Sequence, residues 1–97
     1  MAKLPMRFRI LNYMLDKDQV ALQHVLDGLR PEYGNEGQFN AKVINEHLMS
    51  MKFSGLIDEV GLEFSEDKEL QVFYSITGVG RSRMKYLPHH WAPQARP

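Results

Sequence analysis

Two strand-like runs joined by a short polar segment restrict the possible folds of this chain more than any other feature. Residues 56–64 and 70–77 are rich in aliphatic and aromatic side chains, and the sequence "SEDKE" separates them. Alternation with a period of two predicts a strand, and two such runs around a polar loop predict an antiparallel hairpin. The alternating apolar residues of the second run are Leu70, Val72, Tyr74 and Ile76.

A first helix is predicted over residues 5–15. Leucine and phenylalanine side chains recur there at helical spacing, and Pro5 is suited to a first helical turn. A strand is the alternative, because Met6, Phe8 and Ile10 also alternate with arginines. The helix is the favoured interpretation.

A second helix is predicted to begin at Asp16. Asp16 and Gln19 match a capping box, in which the carboxylate accepts a hydrogen bond from the backbone N–H of Gln19 and the amide side chain reaches back. Pro31, Gly34 and Gly37 indicate where this helix ends. Its apolar stripe consists of Leu22, Val25, Leu26 and Leu29.

A third helix is predicted over residues 40–54. Asn40 is suited to the N-cap, and Gly55 lies where a glycine commonly follows the C-terminus of a helix. At about 100° per residue, three apolar side chains fall within one narrow arc and are expected to face the core. These three are Ile44, Leu48 and Met51.

A fourth helix is predicted after the hairpin. Thr77 can cap it through its hydroxyl, Met84 and Leu87 give it an apolar side, and Pro88 stops it. The glycines at positions 78 and 80 could instead indicate a phosphate-binding loop. A dinucleotide-binding fingerprint would need a third glycine where the chain has Arg83, and no strand–helix–strand unit surrounds it. We therefore interpret these glycines as residues that let the chain turn without side-chain crowding.

Size and composition fit one α+β domain that is mainly α. The chain has 97 residues, a formal net charge of zero and no cysteine. Such a length supports a single modest core, and the lack of cysteine excludes disulfides and thiolate metal sites. We expect a domain over residues 1–88, a tail over residues 89–97, and a soluble cytoplasmic protein. The last expectation rests on the absence of a membrane-spanning run and of a signal-peptide core.

Charge is unevenly distributed along the chain. Residues 56–77 carry six carboxylates and one lysine, a net charge of −5, whereas residues 78–97 carry four cations and a net charge of +4. Because the whole chain is neutral, long-range steering toward nucleic acid is weak. Any anion-binding surface must therefore be local.

Three helices, a two-stranded hairpin and a closing helix, in this order, resemble a winged helix-turn-helix domain. The resemblance is carried by "SMKFSGLIDEVG", where a helix ends in Gly-Leu-Ile and runs directly into a strand. It is also carried by "VFYSITGVGRSRMKYL", where a strand ends in an aromatic residue, threonine and glycine before a basic helix. Small bacterial and archaeal regulators of the MarR and PadR type look like this, and the match spans nearly all of residues 5–88.

The resemblance implies that the third helix enters the major groove of double-stranded DNA, with Asn40 at its start. Four side chains lie opposite the core stripe, and their partners would be guanine, adenine, cytosine and the thymine methyl group, respectively. A solvated helix face without a ligand is the alternative interpretation. The four residues are Lys42, Asn45, Glu46 and Met49.

Contacts to the phosphate backbone would position the domain without reading sequence. The candidates are Lys52, Arg81 and Arg83, with Arg7 or Arg9 in addition.

The tip of the predicted wing is acidic, which is unfavourable for a DNA contact. Glu66, Asp67 and Glu69 would be repelled by phosphates. Either the wing points away from DNA, or the domain is a protein-protein interaction module without direct DNA binding. In the second case Met49 and Phe53 become partner contacts, although Phe53 is expected to pack under the wing.

No enzymatic chemistry is indicated. His24 and His47 lie on separate predicted helices, and two isolated ligands of this kind do not predict a catalytic or metal site. No cofactor is expected, and the sequence leaves a small-molecule effector open. A homodimer is expected, because one recognition helix gives limited affinity and two-fold pairing doubles the number of base pairs that are contacted. Its surface would come from the first helix, the last helix and Trp91.

Overall fold

The computed structural model describes residues 5–85 and contains the predicted hairpin with helices on both sides of it in the chain. The predicted end of the fourth helix, Trp91 and the domain boundary at residue 88 lie outside the described residues. In chain order the elements are α1 (Met6–Met14), β1 (Val20–Ala21), α2 (Leu22–Tyr33), α3 (Ala41–Phe53), β2 (Ile57–Phe64), β3 (Leu70–Ile76) and α4 (Gly78–Lys85).

The sheet has three antiparallel strands in the order β1-β3-β2. The hairpin pairs Ile57 with Ile76 at its base and Phe64 with Leu70 near its tip. β1 was not predicted, because two residues are too few for an alternation signal. It pairs with the middle of β3, so that the long hairpin becomes the wing of a small sheet.

A β-bulge interrupts the regular pairing of the wing. Glu59 pairs with Tyr74 and Gly61 pairs with Phe73, which leaves Val60 as an extra residue on β2. The bulge reverses the side-chain alternation of the strand beyond it. Leu62 therefore lies opposite Val72, on the same face of the wing as Tyr74.

The helix predicted over residues 5–15 is confirmed as α1, and the alternative strand is wrong. Ile10, Leu11 and Met14 are fully or almost fully buried, whereas Phe8 and Leu15 are half-buried against the core. The buried face is therefore rotated slightly from the predicted stripe.

The predicted start of the second helix at Asp16 is wrong. Val20 and Ala21 pair with β3, and α2 begins only at Leu22. The ring of His24 accepts a hydrogen bond from the backbone N–H of Ala21 at 2.9 Å, so His24 makes the reach-back contact that was expected of Gln19. Asp16 instead forms an ion pair with Lys17 at 3.0 Å.

α2 ends within the predicted stretch, but at Gly34 and not at Pro31. The helix continues to Tyr33, whose side chain is 3% exposed and stacks on Phe39 with ring centroids 6.4 Å apart. Burial of this aromatic ring stabilises the last helical turn despite the proline.

The predicted caps of α3 and its core stripe are confirmed. The Asn40 side chain accepts a hydrogen bond from the backbone N–H of Val43 at 2.9 Å. Gly55 ends the helix with a φ of 81°, in the left-handed region that favours glycine. The predicted stripe of Ile44, Leu48 and Met51 is fully buried.

The end of α3, the base of the wing and the start of α4 meet at one junction. The Leu56 carbonyl accepts a hydrogen bond from the backbone N–H of Thr77 at 3.0 Å. The Thr77 hydroxyl donates to the Gly55 carbonyl at 2.6 Å and accepts from the backbone N–H of Gly80 at 3.0 Å, which confirms the predicted cap. Gly80 packs directly on the Leu56 carbonyl, where a β-carbon would also lie 2.8 Å from the Ile76 side chain.

We expect Gly80→Ala to destabilise the domain by about 2–3 kcal/mol, because the added methyl group collides with backbone atoms that cannot move aside. Gly78→Ala is the matched control, since a β-carbon at Gly78 meets nothing within 4 Å. Urea denaturation of both variants measures the difference. Equal stability of the two variants would show that the junction tolerates a side chain.

Candidate nucleic-acid interface

The outer face of α3 carries the four side chains predicted to read bases. Lys42, Asn45, Glu46 and Met49 are all exposed, as the helical spacing predicted. Because the opposite side of α3 is fully buried, rotation of the helix about its own axis is prevented. The stripe is thus presented at a fixed orientation to a partner.

Phe53 lies on this same stripe, one turn beyond Met49. Its side chain is 95% exposed, so the expectation that it packs under the wing is wrong. The neighbouring Lys52 forms an ion pair with Glu59 on β2 at 2.9 Å, which links the end of α3 to the wing. Nothing in the sequence near Phe53 indicates this arrangement, because the pair joins residues from different elements.

The cations predicted to contact phosphates differ in their surroundings. Lys52 is paired with Glu59, whose hydrogen bond raises the pKa of the lysine and keeps it charged. The guanidinium of Arg81 donates to the backbone carbonyl of Leu15 at 3.2 Å, which joins α4 to α1. Arg83 is exposed on α4.

The two arginines of α1 are engaged within the domain. Arg7 donates to the hydroxyl of Ser50 on α3 at 2.7 Å. Arg9 makes a bidentate ion pair with Glu32 on α2, with distances of 2.7 to 3.1 Å. These contacts tie α1 to the two helices that follow it.

The wing has an acidic tip and an apolar face. Glu66, Asp67 and Glu69 are exposed around the turn, where Lys68 adopts a positive φ of 65°. On one face of the wing, Leu62, Phe64 and Leu70 are 56%, 74% and 55% exposed. Exposed apolar side chains beside carboxylates are not suited to a phosphate backbone.

A cleft of about 230 Å³ separates the start of α2, the middle of α3 and the wing strand β3. Asn45 lies on its α3 wall, and Leu70, Val72 and Tyr74 lie on its β3 wall. The predicted base-reading helix and the wing are therefore neighbouring walls of one concave surface.

Within residues 5–85 no cluster of three potential metal ligands occurs. The helices in this part of the chain are also too short or too polar to span a membrane.

His47 on α3 makes the stability of the domain depend on pH. Burial lowers the pKa of His47 from its ordinary value of 6.5, and the positive charge of Arg7 lowers it further. Since the folded-state pKa lies below the unfolded-state value, the unfolded chain binds more protons as the pH falls below 6.5. Protonation of His47 therefore favours unfolding.

We expect the free energy of unfolding to decrease as the pH falls from 6.5 toward the folded-state pKa of His47, and His47→Gln to flatten this decrease. Urea denaturation at a series of pH values measures both slopes. A slope that is unchanged in the variant would assign the pH dependence to other groups.

Comparison with known proteins identifies the fold. No family model and no curated protein matches the chain in sequence. Among solved structures, a provisionally assigned transcriptional regulator from Thermoplasma acidophilum matches with a TM-score of 0.63 and 18% identity, over 80% of this chain and 71% of that protein. PadR from Bacillus subtilis, solved in complex with operator DNA, matches with a TM-score of 0.69 and 17% identity, over 95% of this chain and 49% of PadR.

The chain thus spans about half the length of PadR. At these identities the likeness shows the fold, and the resemblance found in the sequence is confirmed at that level: the chain has a PadR-like winged helix-turn-helix fold.

Proposed function

We propose that this chain is a transcriptional regulator that binds double-stranded DNA and reads its sequence with α3. The observation that carries the proposal is the exposed stripe of Lys42, Asn45, Glu46 and Met49 on a helix whose other side is locked in the core. Each of these side chains has a complementary group on a base edge in the major groove. The PadR structure with operator DNA supports the proposal, because it shows this fold on a DNA site.

Asn40 has a positional role in this proposal. Its side chain accepts from the backbone of Val43 and donates to the Gly37 carbonyl at 3.0 Å, which fixes the N-terminal turn of α3. The N-terminal residues of a recognition helix are the ones that commonly reach base edges. A well-defined first turn therefore limits the entropy lost on binding.

Backbone-phosphate contacts in this proposal come from Lys52 and Arg81. Both side chains are already held by protein partners, Glu59 and the Leu15 carbonyl, so they are oriented before DNA arrives. The carboxylates at the wing tip are repelled by phosphates, and we place this tip clear of the phosphate backbone. Recognition of the DNA sequence therefore depends more on α3 here than it would in a winged-helix domain with a basic wing.

The functional unit in this proposal is a homodimer that acts in the cytoplasm, with residues 1–88 as the DNA-binding domain and residues 89–97 as a tail. One α3 offers few base contacts, and two-fold pairing presents a second copy to the adjacent half-site. We propose no enzymatic activity and no cofactor.

We expect Asn45→Ala to cost about 1–3 kcal/mol on the preferred DNA site, obtained by selection from random duplexes, and to leave binding to random duplex almost unchanged. Asn35→Ala is the matched control, because Asn35 is exposed outside α3. Fluorescence anisotropy with both duplexes measures the two affinities. If Asn45→Ala weakens both duplexes equally, α3 does not read sequence through this residue.

We expect Arg81→Ala to weaken specific and random binding alike and to lower the slope of log affinity against log salt by about one, because a phosphate contact is independent of sequence. Thermal melting of the variant checks that loss of the bond to Leu15 has not unfolded the domain. If the parent protein shows no salt-dependent duplex binding, and Met49→Asp abolishes binding to a defined protein partner, the protein-interaction alternative replaces the DNA proposal.

A further inference from the structure

The wing and α4 carry opposite charges that are not neutralised within the domain. Of the wing carboxylates, Glu59 is paired with Lys52. Within residues 5–85, Glu63, Glu66 and Glu69 make no ion pair, and the same holds for Asp58 and Asp67. On α4, Arg83 and Lys85 are exposed and also have no ion-pair partner in this part of the chain.

These two charged regions cannot reach each other in one copy of the chain. α4 follows the base of the wing, and the acidic turn lies at the opposite end of β3, which has seven residues. Seven residues of strand span about 23 Å, whereas charges in physiological salt are screened beyond about 8 Å. The acidic tip and the basic helix therefore remain available to another molecule.

Each charged region is accompanied by exposed apolar side chains. Phe64 and Leu70 pair across the wing near its tip, and Leu62 lies on the same face. On α4, Val79 is 52% exposed and lies one helical turn before Arg83. The wing thus presents apolar and acidic groups together, and α4 presents apolar and basic groups together.

We propose that the wing of one copy docks on α4 of a second copy, and that this contact forms the homodimer. Every copy carries both halves of the contact, so a two-fold arrangement makes it twice. Each acidic tip then meets Arg83 and Lys85 of its partner, and Phe64 and Leu70 are covered beside Val79. Charge complementarity favours this occupant over DNA, whose phosphates the wing repels.

This inference depends on the homodimer of the proposed function and not on DNA binding. It gives Arg83 a different partner from the phosphate predicted in the sequence analysis. Sedimentation velocity over a concentration series measures the association of the full chain, and circular dichroism checks that each variant is folded.

We expect the wing variant Glu66→Lys with Glu69→Lys, and the helix variant Arg83→Glu with Lys85→Glu, each to raise the dimer dissociation constant at least about tenfold, because like charges then face each other. Both variants retain the turn residues Asp67 and Lys68. A mixture of the two variants should form heterodimers, since a basic wing meets an acidic helix at one contact and an acidic wing meets a basic helix at the other. A chain with all four substitutions, which has the parent net charge, should dimerise by itself.

An apolar substitution tests the same contact without changing charge. Phe64→Ser should weaken association, whereas Phe53→Ser should not, although Phe53 is the more exposed of the two in the single domain. High salt should weaken association of the parent chain, because the charged groups are at the surface.

Three outcomes would overturn the inference. A parent chain that stays monomeric contradicts the homodimer itself. A dimer that neither pair of charge reversals weakens uses a different surface. Variants that are both monomeric but fail to pair with each other show that the two regions act separately, as they would if the wing bound a basic segment of another protein.

Discussion

The Leu56 carbonyl is the group on which the arrangement of the domain depends. It accepts the Thr77 backbone N–H and lies against Gly80, so the end of α3, the base of the wing and the start of α4 share one point. An unpaired carbonyl buried at this point would cost about 1–3 kcal/mol, and here it is satisfied by the residue that follows β3. The same contact sets the direction in which the wing leaves α3, and hence which side chains line the concave surface between them.

Signals confined to one segment of the chain predicted structure well. Asn40 and Thr77 cap helices as expected, and Gly55 ends α3 with the positive φ that its position suggested. Local signals gave wrong predictions where the same segment pairs with a distant strand. Asp16 and Gln19 have the residue types of a capping box, yet the pairing of the following residues with β3 moves the helix start to Leu22. Such pairing joins residues more than fifty positions apart, and single-sequence patterns do not contain it.

The candidate site likewise has one part that local signals predicted and one part that they did not. Helical periodicity alone predicted which side of α3 faces outward, because burial of one stripe decides the exposure of the other. The surroundings of Lys52 and Arg81 could not be predicted, since their partners Glu59 and Leu15 belong to other elements. The exposure of Phe53 was not predicted either: the end of α3 is linked to the wing by the Lys52–Glu59 pair, and the aromatic ring faces outward.

The bulge at Val60 decides which side chains the concave face of the wing carries. Beyond it, Leu62 and Phe64 lie on the face that Glu59 and Tyr74 occupy at the base, because the extra residue shifts the alternation by one. In a regular ladder that included Val60 without a bulge, Gly61 and Glu63 would lie on that face, and Leu62 and Phe64 would lie on the other. The apolar character of the concave face therefore depends on the pairing register of the two strands as well as on their residues. A shift of that register would exchange an apolar surface for an acidic one without any substitution, while the helices and the core remain as they are.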